Sequence, residues 1–379
     1  MTSGKHRILF LDTGHKYRMG DIYGQKLRLL SHGFCGCVVT FGEAGTFEFG
    51  DFVVHSFKPL KSKLAIFARA LAFCWKTARA ARRAGRGFDL VATYDPLNTG
   101  LLGTLVARVC GIPLMVELNG DFTSWSNYSE VKSRYWRALK RWIYLRVATY
   151  VLRRSKGIKL LYAGQLDYFR ARLRPGTTVR TFPNFLDLGA FRNLGETKKV
   201  VIIGFPFHVK GIDVAIAAFR RIAASYPDWS LEILGWYAGE EKAVLDASIA
   251  GHPQISHHPP IWKAEMPGYV GMCGVLVCAS RTEGFPRVVK EAMHAGKPCI
   301  VSDVGGLPGA IEHGKNGLMF RSEDVAGLAE GLASLLASKA LRAQVGSAAR
   351  EFAEREYTAE AYLGYFDAFV REILNPAAQ

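Results

Sequence analysis

Glu283 and Glu291 are carboxylates with seven residues between them, in the stretch Arg281-Thr282-Glu283-Gly284-Phe285-Pro286 and the segment Arg287–Ala295 that follows. The apolar run Val275–Ala279 before them reads as a buried strand, and Pro286 suits a helix start. Gly296 ends that helix, and Cys299-Ile300-Val301 begins another strand. Glu283 therefore falls in the loop at the strand's carboxyl end and Glu291 about a turn inside the helix. Between them lie the unbonded amides of a helix N-terminus, where phosphate binds, and Gly284, which has no Cβ to hold a ligand away. A carboxylate on each side of such a cradle can accept hydrogen bonds from sugar hydroxyls, one at a ribose and one at a second sugar. Acidic residues near a helix start also complement its dipole with no ligand present. The two glutamates alone leave both readings open.

A second cradle lies upstream. Val200–Gly204 reads as a buried strand, followed by the loop Phe205-Pro206-Phe207-His208-Val209-Lys210-Gly211 and a helix over Ile212–Ala223. Lys210 is placed either to neutralise phosphate or to be a solvated surface charge. The run Glu-Gly-Phe-Pro-x4-Glu-Ala-Met-x-x-Gly-x-Pro from Glu283, followed by Val304-Gly305-Gly306 and Asn316-Gly317-Leu318, resembles the Glu-x7-Glu signature of the family 4 retaining glycosyltransferases.

That resemblance implies an α/β protein of the GT-B fold, with two Rossmann-like domains facing each other across a cleft and a C-terminal helix crossing back to the first. Residues 1–194, with 357–379, would form the acceptor domain and 195–356 the donor domain. A sugar would pass from a UDP- or GDP-linked donor to a lipid-linked or glycan acceptor with retention of configuration and no cofactor or metal. Cell-surface polysaccharide or glycolipid assembly is the expected setting. By the same resemblance Glu283 lies at the donor sugar, Glu291 holds the ribose and Lys210 neutralises the diphosphate. Gly204, Gly284, Phe285 and Pro286 would line the donor.

The chain departs from the family pattern twice. Phe205 stands where an arginine usually shares the diphosphate with the lysine, so His208, Arg281 or Arg287 would have to substitute. Asn119 stands where a strand usually ends in His-Gly and the histidine reaches the donor sugar. Asparagine still hydrogen-bonds a hydroxyl but takes no proton. Gly14, His15 and Asp121 are the expected acceptor-side residues. An inactive nucleotide-sugar-binding protein is the alternative those departures motivate. A nicotinamide-dependent oxidoreductase is disfavoured, because no G-x-G-x-x-G follows the first strand.

The elements that must position these residues alternate in type. Residues 7–14, Val38–Thr40, Phe52–His55, Asp89–Thr93 and Pro113–Glu117 read as strands, with helices over Ile22–Leu30, Leu64–Ala84 and Leu101–Cys110. Strands alternating with helices predict parallel, doubly wound sheets. Pro183, Asn184 and Asp187 close the first half, and Gly195–Lys199 is a polar hinge. Val325–Ala337, Lys339–Glu354 and Ala359–Leu374 read as the terminal helices.

Charge divides the chain. Residues 1–195 carry 31 Lys and Arg against 12 Asp and Glu, and residues 196–379 carry 18 against 21. Such asymmetry calls for an anionic partner of the first half. Nucleic acid is disfavoured, since no nucleic-acid-binding motif accompanies the charge. Glu130–Arg154 reads as an amphipathic helix with Trp136, Leu139, Ile143 and Val147 on the core. Arg134, Arg137, Lys140 and Arg141 on its other side would face an anionic membrane. The seven cysteines are odd in number and mostly sit in apolar runs, as reduced core thiols do. No run reaches the ~18 apolar residues of a membrane span. The expected location is therefore cytoplasmic, peripheral on the inner membrane leaflet.

Overall fold

The computed structural model describes residues 4–12, 17, 21–58, 62–128 and 133–375. They fall into two compact units, Met1–Phe185 with Ala359–Gln379, and Leu186–Thr358.

The first unit opens with β1 (His6–Leu11), α1 (Ile22–Leu30), β2 (Phe34–Phe41), β3 (Gly45–Phe49) and β4 (Phe52–Phe57). It continues through α2 (Lys63–Arg83), β5 (Leu90–Thr93), α3 (Asn98–Cys110), β6 (Leu114–Leu118), α4 (Arg134–Leu152), β7 (Gly157–Leu160) and β8 (Thr178–Thr181). The strands form one sheet in the order β3-β4-β2-β1-β5-β6-β7-β8, parallel except for the β3–β4 pair. Because strand side chains alternate, each face has its own core. Leu9 and Leu11 meet α2, α3 and α4 on one face, while Ile8 lies with α1 and the C-terminal helix on the other. β3, β7 and β8 are the strands of this sheet that sequence reading missed. In β3 only Phe49 of five residues is buried, so the apolar pattern was too weak to show.

The second unit holds β9 (Lys199–Ile203), α5 (Ile212–Ile222), β10 (Ser230–Leu234), α6 (Gly239–Ile249), β11 (Ile255–His258), α7 (Met266–Met272) and β12 (Val275–Cys278). After them come α8 (Arg287–His294), β13 (Cys299–Ser302), β14 (Leu318–Phe320), α9 (Val325–Ala337) and α10 (Lys339–Glu356). Its sheet runs β11-β10-β9-β12-β13-β14, parallel throughout. The chain winds one way from β9 to β11 and resumes on β9's other side with β12. The β9–β12 boundary is thus the topological switch point, where doubly wound sheets take ligands at the strands' carboxyl ends.

The last helix, α11 (Ala359–Leu374), belongs to the first unit, burying Phe366, Phe369 and Ile373 there. The units divide nine residues before the expected boundary. Leu188 and Phe191 are buried in the second unit's core. The polar segment expected as a hinge is tied down within that unit, since Glu196 accepts from Arg342 at 2.5 Å and Lys297 donates to the Gly195 carbonyl. None of the seven cysteines is bridged, and all but Cys35 are buried. Among the described residues no helix is long and apolar enough to cross a membrane.

Candidate functional site

At the second unit's switch point the loops after β9 and β12 interlock through glycines. Gly211 begins α5 at φ 62°, and a Cβ there would lie 1.9 Å from the Ala279 carbonyl oxygen. No other residue lets α5 start against the end of β12. Gly204 (φ 145°) leaves the strand end clear for Lys210, whose side-chain carbons would stand 3.0–3.1 Å from any added Cβ. The Lys210 ammonium donates to Glu283 Oε1, and Ser280 Oγ donates to the same oxygen at 2.8 Å.

The loop that carries Glu283 is braced from β13 as well. Ser302 Oγ donates to the Ser280 carbonyl at 2.7 Å, and the Gly306 amide donates to the Gly284 carbonyl at 2.8 Å. A Cβ on Gly305 (φ 58°) would fall 1.8 Å from the Glu283 carbonyl oxygen. Three strand ends therefore hold one carboxylate and one ammonium together at the sheet's edge. Sequence reading found the two charges but missed Ser280 and Ser302, which carry no spacing signal.

Glu291 is buried in α8, and its Oε1 accepts from Arg287 Nε at 2.6 Å. Pro286 begins that helix and no side chain caps it, so its first-turn amides point out of the helix end unbonded by it. The amino end of α5 is different. There Lys210, Gly211 and Ile212 donate to the carbonyls of Pro206, His208 and Phe207 at 3.0, 3.1 and 3.2 Å. An anion on this unit can therefore find backbone donors at α8. Phe285 packs against its own unit, 5.6 Å from the Tyr357 ring, with the buried Lys290 ammonium 4.8 Å from its centroid.

Arg281 does not fill the place of the missing arginine. Its guanidinium donates to both carboxylate oxygens of Asp213 at 2.9 and 2.8 Å, to Glu323 at 2.7 Å and to the His208 carbonyl at 2.6 Å. Two carboxylates neutralise it, and its role is to fasten the β12 loop to α5 and the start of α9. His208 is exposed and contributes its carbonyl to these bonds. Arg287, half exposed beside Glu291, is the cation left next to the cradle.

In the first unit the described site residues, Asn119 and Asp121, bond within their own surroundings. Gly14 and His15 lie outside the described residues. Asp121 accepts from the Thr123 amide and hydroxyl at 2.9 and 2.6 Å, closing a turn. Asn119 donates to the Tyr94 carbonyl at 2.8 Å and to Glu117 at 3.3 Å, and accepts from Asn184 at 2.9 Å. Both hydrogens of its amide are engaged within its own unit, which makes it a structural linker there, while its oxygen keeps a second lone pair.

That linker belongs to a network no spacing argument had singled out. Glu117, wholly buried in β6, lies 3.3 Å from Lys26 of α1 and 3.5 Å from Lys159 of β7. Burial alone would raise the Glu117 carboxyl, but the two ammonium groups hold it down to about 2. For Lys159 burial outweighs Glu117 and lowers it to about 8. The signal was present in the sequence: a charge inside Leu114–Leu118 and another inside Gly157–Leu160, each flanked by apolar residues. Beside the network, at the β1–β5 switch point, Asp12, Tyr17, Tyr23, Tyr94 and Glu117 line a cavity of about 30 Å³, the room one water needs.

The amphipathic helix is turned opposite to expectation. α4 buries Leu145, Ala148, Val151 and Leu152, while Trp136 and Ile143 are exposed. Arg137, Lys140 and Arg141 are half-buried on the inward side. Arg141 donates to the Thr123 carbonyl at 3.0 Å, and Lys140 lies 5.6 Å from the Tyr144 ring. Only Arg134 of the four expected cations is exposed. Two apolar stripes share this helix, and the sheet took the one nearer its carboxyl end.

Known proteins match both units. A family model described as "Glycosyl transferase 4-like domain" matches residues 32–184, and one described as "Glycosyl transferases group 1" matches residues 190–352. D-inositol 3-phosphate glycosyltransferase of an Arthrobacter species is 31% identical over 184 residues, 44% of either chain. This chain spans about half the length of most curated relatives it matches. Sucrose-phosphate synthase from Thermosynechococcus elongatus superposes with a TM-score of 0.75 at 20% identity, covering 98% of this chain and 100% of that one. Anabaena HepE, solved in complex with UDP and glucose, superposes with a TM-score of 0.72 at 18% identity, covering 96% of this chain and 98% of that one. With both halves of the architecture matched in order along most of its length, the chain belongs to the GT-B glycosyltransferases of the glycosyl-transferase-4-like kind.

Proposed function

We propose that this protein transfers a sugar from a UDP- or GDP-linked donor to a lipid-linked or glycan acceptor, with retention of configuration. The carrying observation is the Lys210–Glu283 pair at the β9–β12 switch point, beside the uncapped amino end of α8. The diphosphate would take Lys210 and the α8 amides, Glu291 the ribose hydroxyls, and Glu283 a hydroxyl of the sugar. In the transfer the bond from the anomeric carbon to the diphosphate oxygen breaks and the acceptor oxygen bonds that carbon. The acceptor's proton leaves to the departing diphosphate, so no fixed protein base is required. This suits a chain whose Asn119 takes no proton. Electrostatic stabilisation of the leaving group supplies the rate, at roughly 3–4 kcal/mol per well-placed donor. No metal or cofactor is needed in this scheme.

The first unit would receive the acceptor, and its positive charge suits a peripheral position on the inner leaflet of an anionic membrane. Calorimetry with UDP and GDP tests the donor assignment. Glu291→Ala should weaken nucleotide binding about tenfold to a hundredfold, the 1.5–3 kcal/mol of a charged hydrogen bond. Arg287, half exposed, can turn to water, so the fold should persist. Unchanged affinity would refute the assignment. Nucleotide binding with no labelled product from any acceptor mixture would favour the reading as a binding protein.

A further inference from the structure

α2, α3 and α4 lie side by side on one face of the first unit's sheet, sharing a core. They carry six, one and five lysine or arginine residues and not one aspartate or glutamate. Solvated helix faces ordinarily intersperse the two signs, so a layer of one sign is built for an opposite one. Its outward side chains are not simply basic. Trp75, Trp136 and Trp142 are 42%, 60% and 56% exposed, with Ile143 and Val109 also outward. Arg79 stacks 5.1 Å from the Trp75 ring, Arg146 5.3 Å from Trp142, and Arg154 3.7 Å from Tyr150. At one edge a groove of about 580 Å³ opens where α3 and α4 end. Arg108, Arg154, Lys156 and Arg174 border it over Leu105 and Ile112, and none of the four pairs with a carboxylate among the described residues.

We infer that the outer face of α2, α3 and α4 docks on an anionic phospholipid bilayer, the groove taking one lipid phosphate. This deepens the reading of the first unit as membrane-facing and moves the contact off Arg137, Lys140 and Arg141. Indole rings flanked by guanidinium groups suit the boundary between acyl chains and phosphates, where the ring body is buried and the charge stays at the headgroups. The outward Ile143 and Val109 would gain nothing on a nucleic-acid backbone but gain burial at a bilayer.

Co-sedimentation with vesicles of phosphatidylglycerol mixed with phosphatidylcholine, against phosphatidylcholine alone, reads the contact without any sugar transfer. Wild type should bind the anionic vesicles at least about 30-fold tighter. Arg79→Gln with Arg146→Gln, and separately Arg108→Gln with Arg174→Gln, should each weaken binding about 30-fold. Trp136→Ser with Trp142→Ser should lose binding that added salt cannot mimic. Arg137→Gln with Lys140→Gln, on the inward side, should stay within about twofold. Equal binding to both vesicles, or as large a loss in the inward pair, would overturn the proposal. So would a wild-type dimer that the tryptophan variant dissolves, or duplex DNA that displaces the vesicles. Calorimetry with UDP and GDP on every variant separates the outcomes: intact nucleotide binding without vesicle binding ends this inference and leaves the donor site standing.

Discussion

Lys210 and Glu283 are bonded to each other, so on the proposed donor reading a diphosphate would have to draw the ammonium away from a carboxylate already positioned by Ser280. The exchange is matched, one anion for another, and leaves Glu283 free to accept from a hydroxyl. Lys210→Ala should therefore cut labelled-sugar transfer roughly hundred- to thousandfold, the loss seen when one electrostatic donor is removed, with little change in melting temperature. Near-normal turnover would show that other groups hold the phosphates. Glu117 makes a different demand. Its folded-state carboxyl is held near 2 against an ordinary 4.5, so an unfolded chain takes up the proton first as pH falls. That stabilisation is complete above about 4.5 and drains away toward pH 2. Glu117→Gln should cost about 3–5 kcal/mol, because Lys159 is left buried without its counter-charge. Urea unfolding at pH 7 and pH 3 checks both, and the variant should show a flatter acid dependence than the parent.

Helix ends decide what each element offers. α5 and α8 both follow a central strand of the second sheet and neither has a side-chain cap, but Ile212 at the start of α5 donates to the Phe207 carbonyl of its own loop. Glycines let the loops before these helices pass close to neighbouring backbone. Gly305→Ala should be among the most damaging single changes in the unit, since its Cβ meets a backbone carbonyl that cannot yield and its φ of 58° already disfavours a side chain. A cost of at least about 2 kcal/mol is expected, together with lost nucleotide affinity as the Glu283 loop shifts. Calorimetric melting and nucleotide titration of the same sample read the two together. Near-parental values for both would show that the β13 loop does not position Glu283. On α4 the comparable choice was rotational, between two apolar stripes of similar strength.

Each of the two units keeps a core of its own, and the chain returns to the first through α11. Gly157 of β7 makes room for that helix, because a Cβ there would lie 2.2 Å from Ile373. Burying Phe366, Phe369, Val370 and Ile373 is worth roughly 6–12 kcal/mol at 1.5–3 each, comparable to a domain's whole stability. A chain ending at Thr358 should accordingly lose the first unit's cooperative unfolding transition. Residues 186–358 expressed alone should bind UDP or GDP within about threefold of the full chain. Loss of nucleotide binding by that fragment would show that the donor site needs more than the second unit.

The sequence by itself determined the parallel α/β architecture, the switch-point loops and the Glu283–Glu291 spacing. These depend on period, turn residues and neighbours close along the chain, all of which are local. It also determined the charge asymmetry, which is a matter of counting. What it left open was pairing between residues far apart. Arg281 read as a free cation until Asp213 and Glu323 closed on it, and Asn119 as an open amide until Tyr94 and Glu117 took both its hydrogens. The outward face of α4 was undecided for the same reason. Two stripes on one helix have equal claims until the sheet presents its own side chains, and only the assembled core chooses between them.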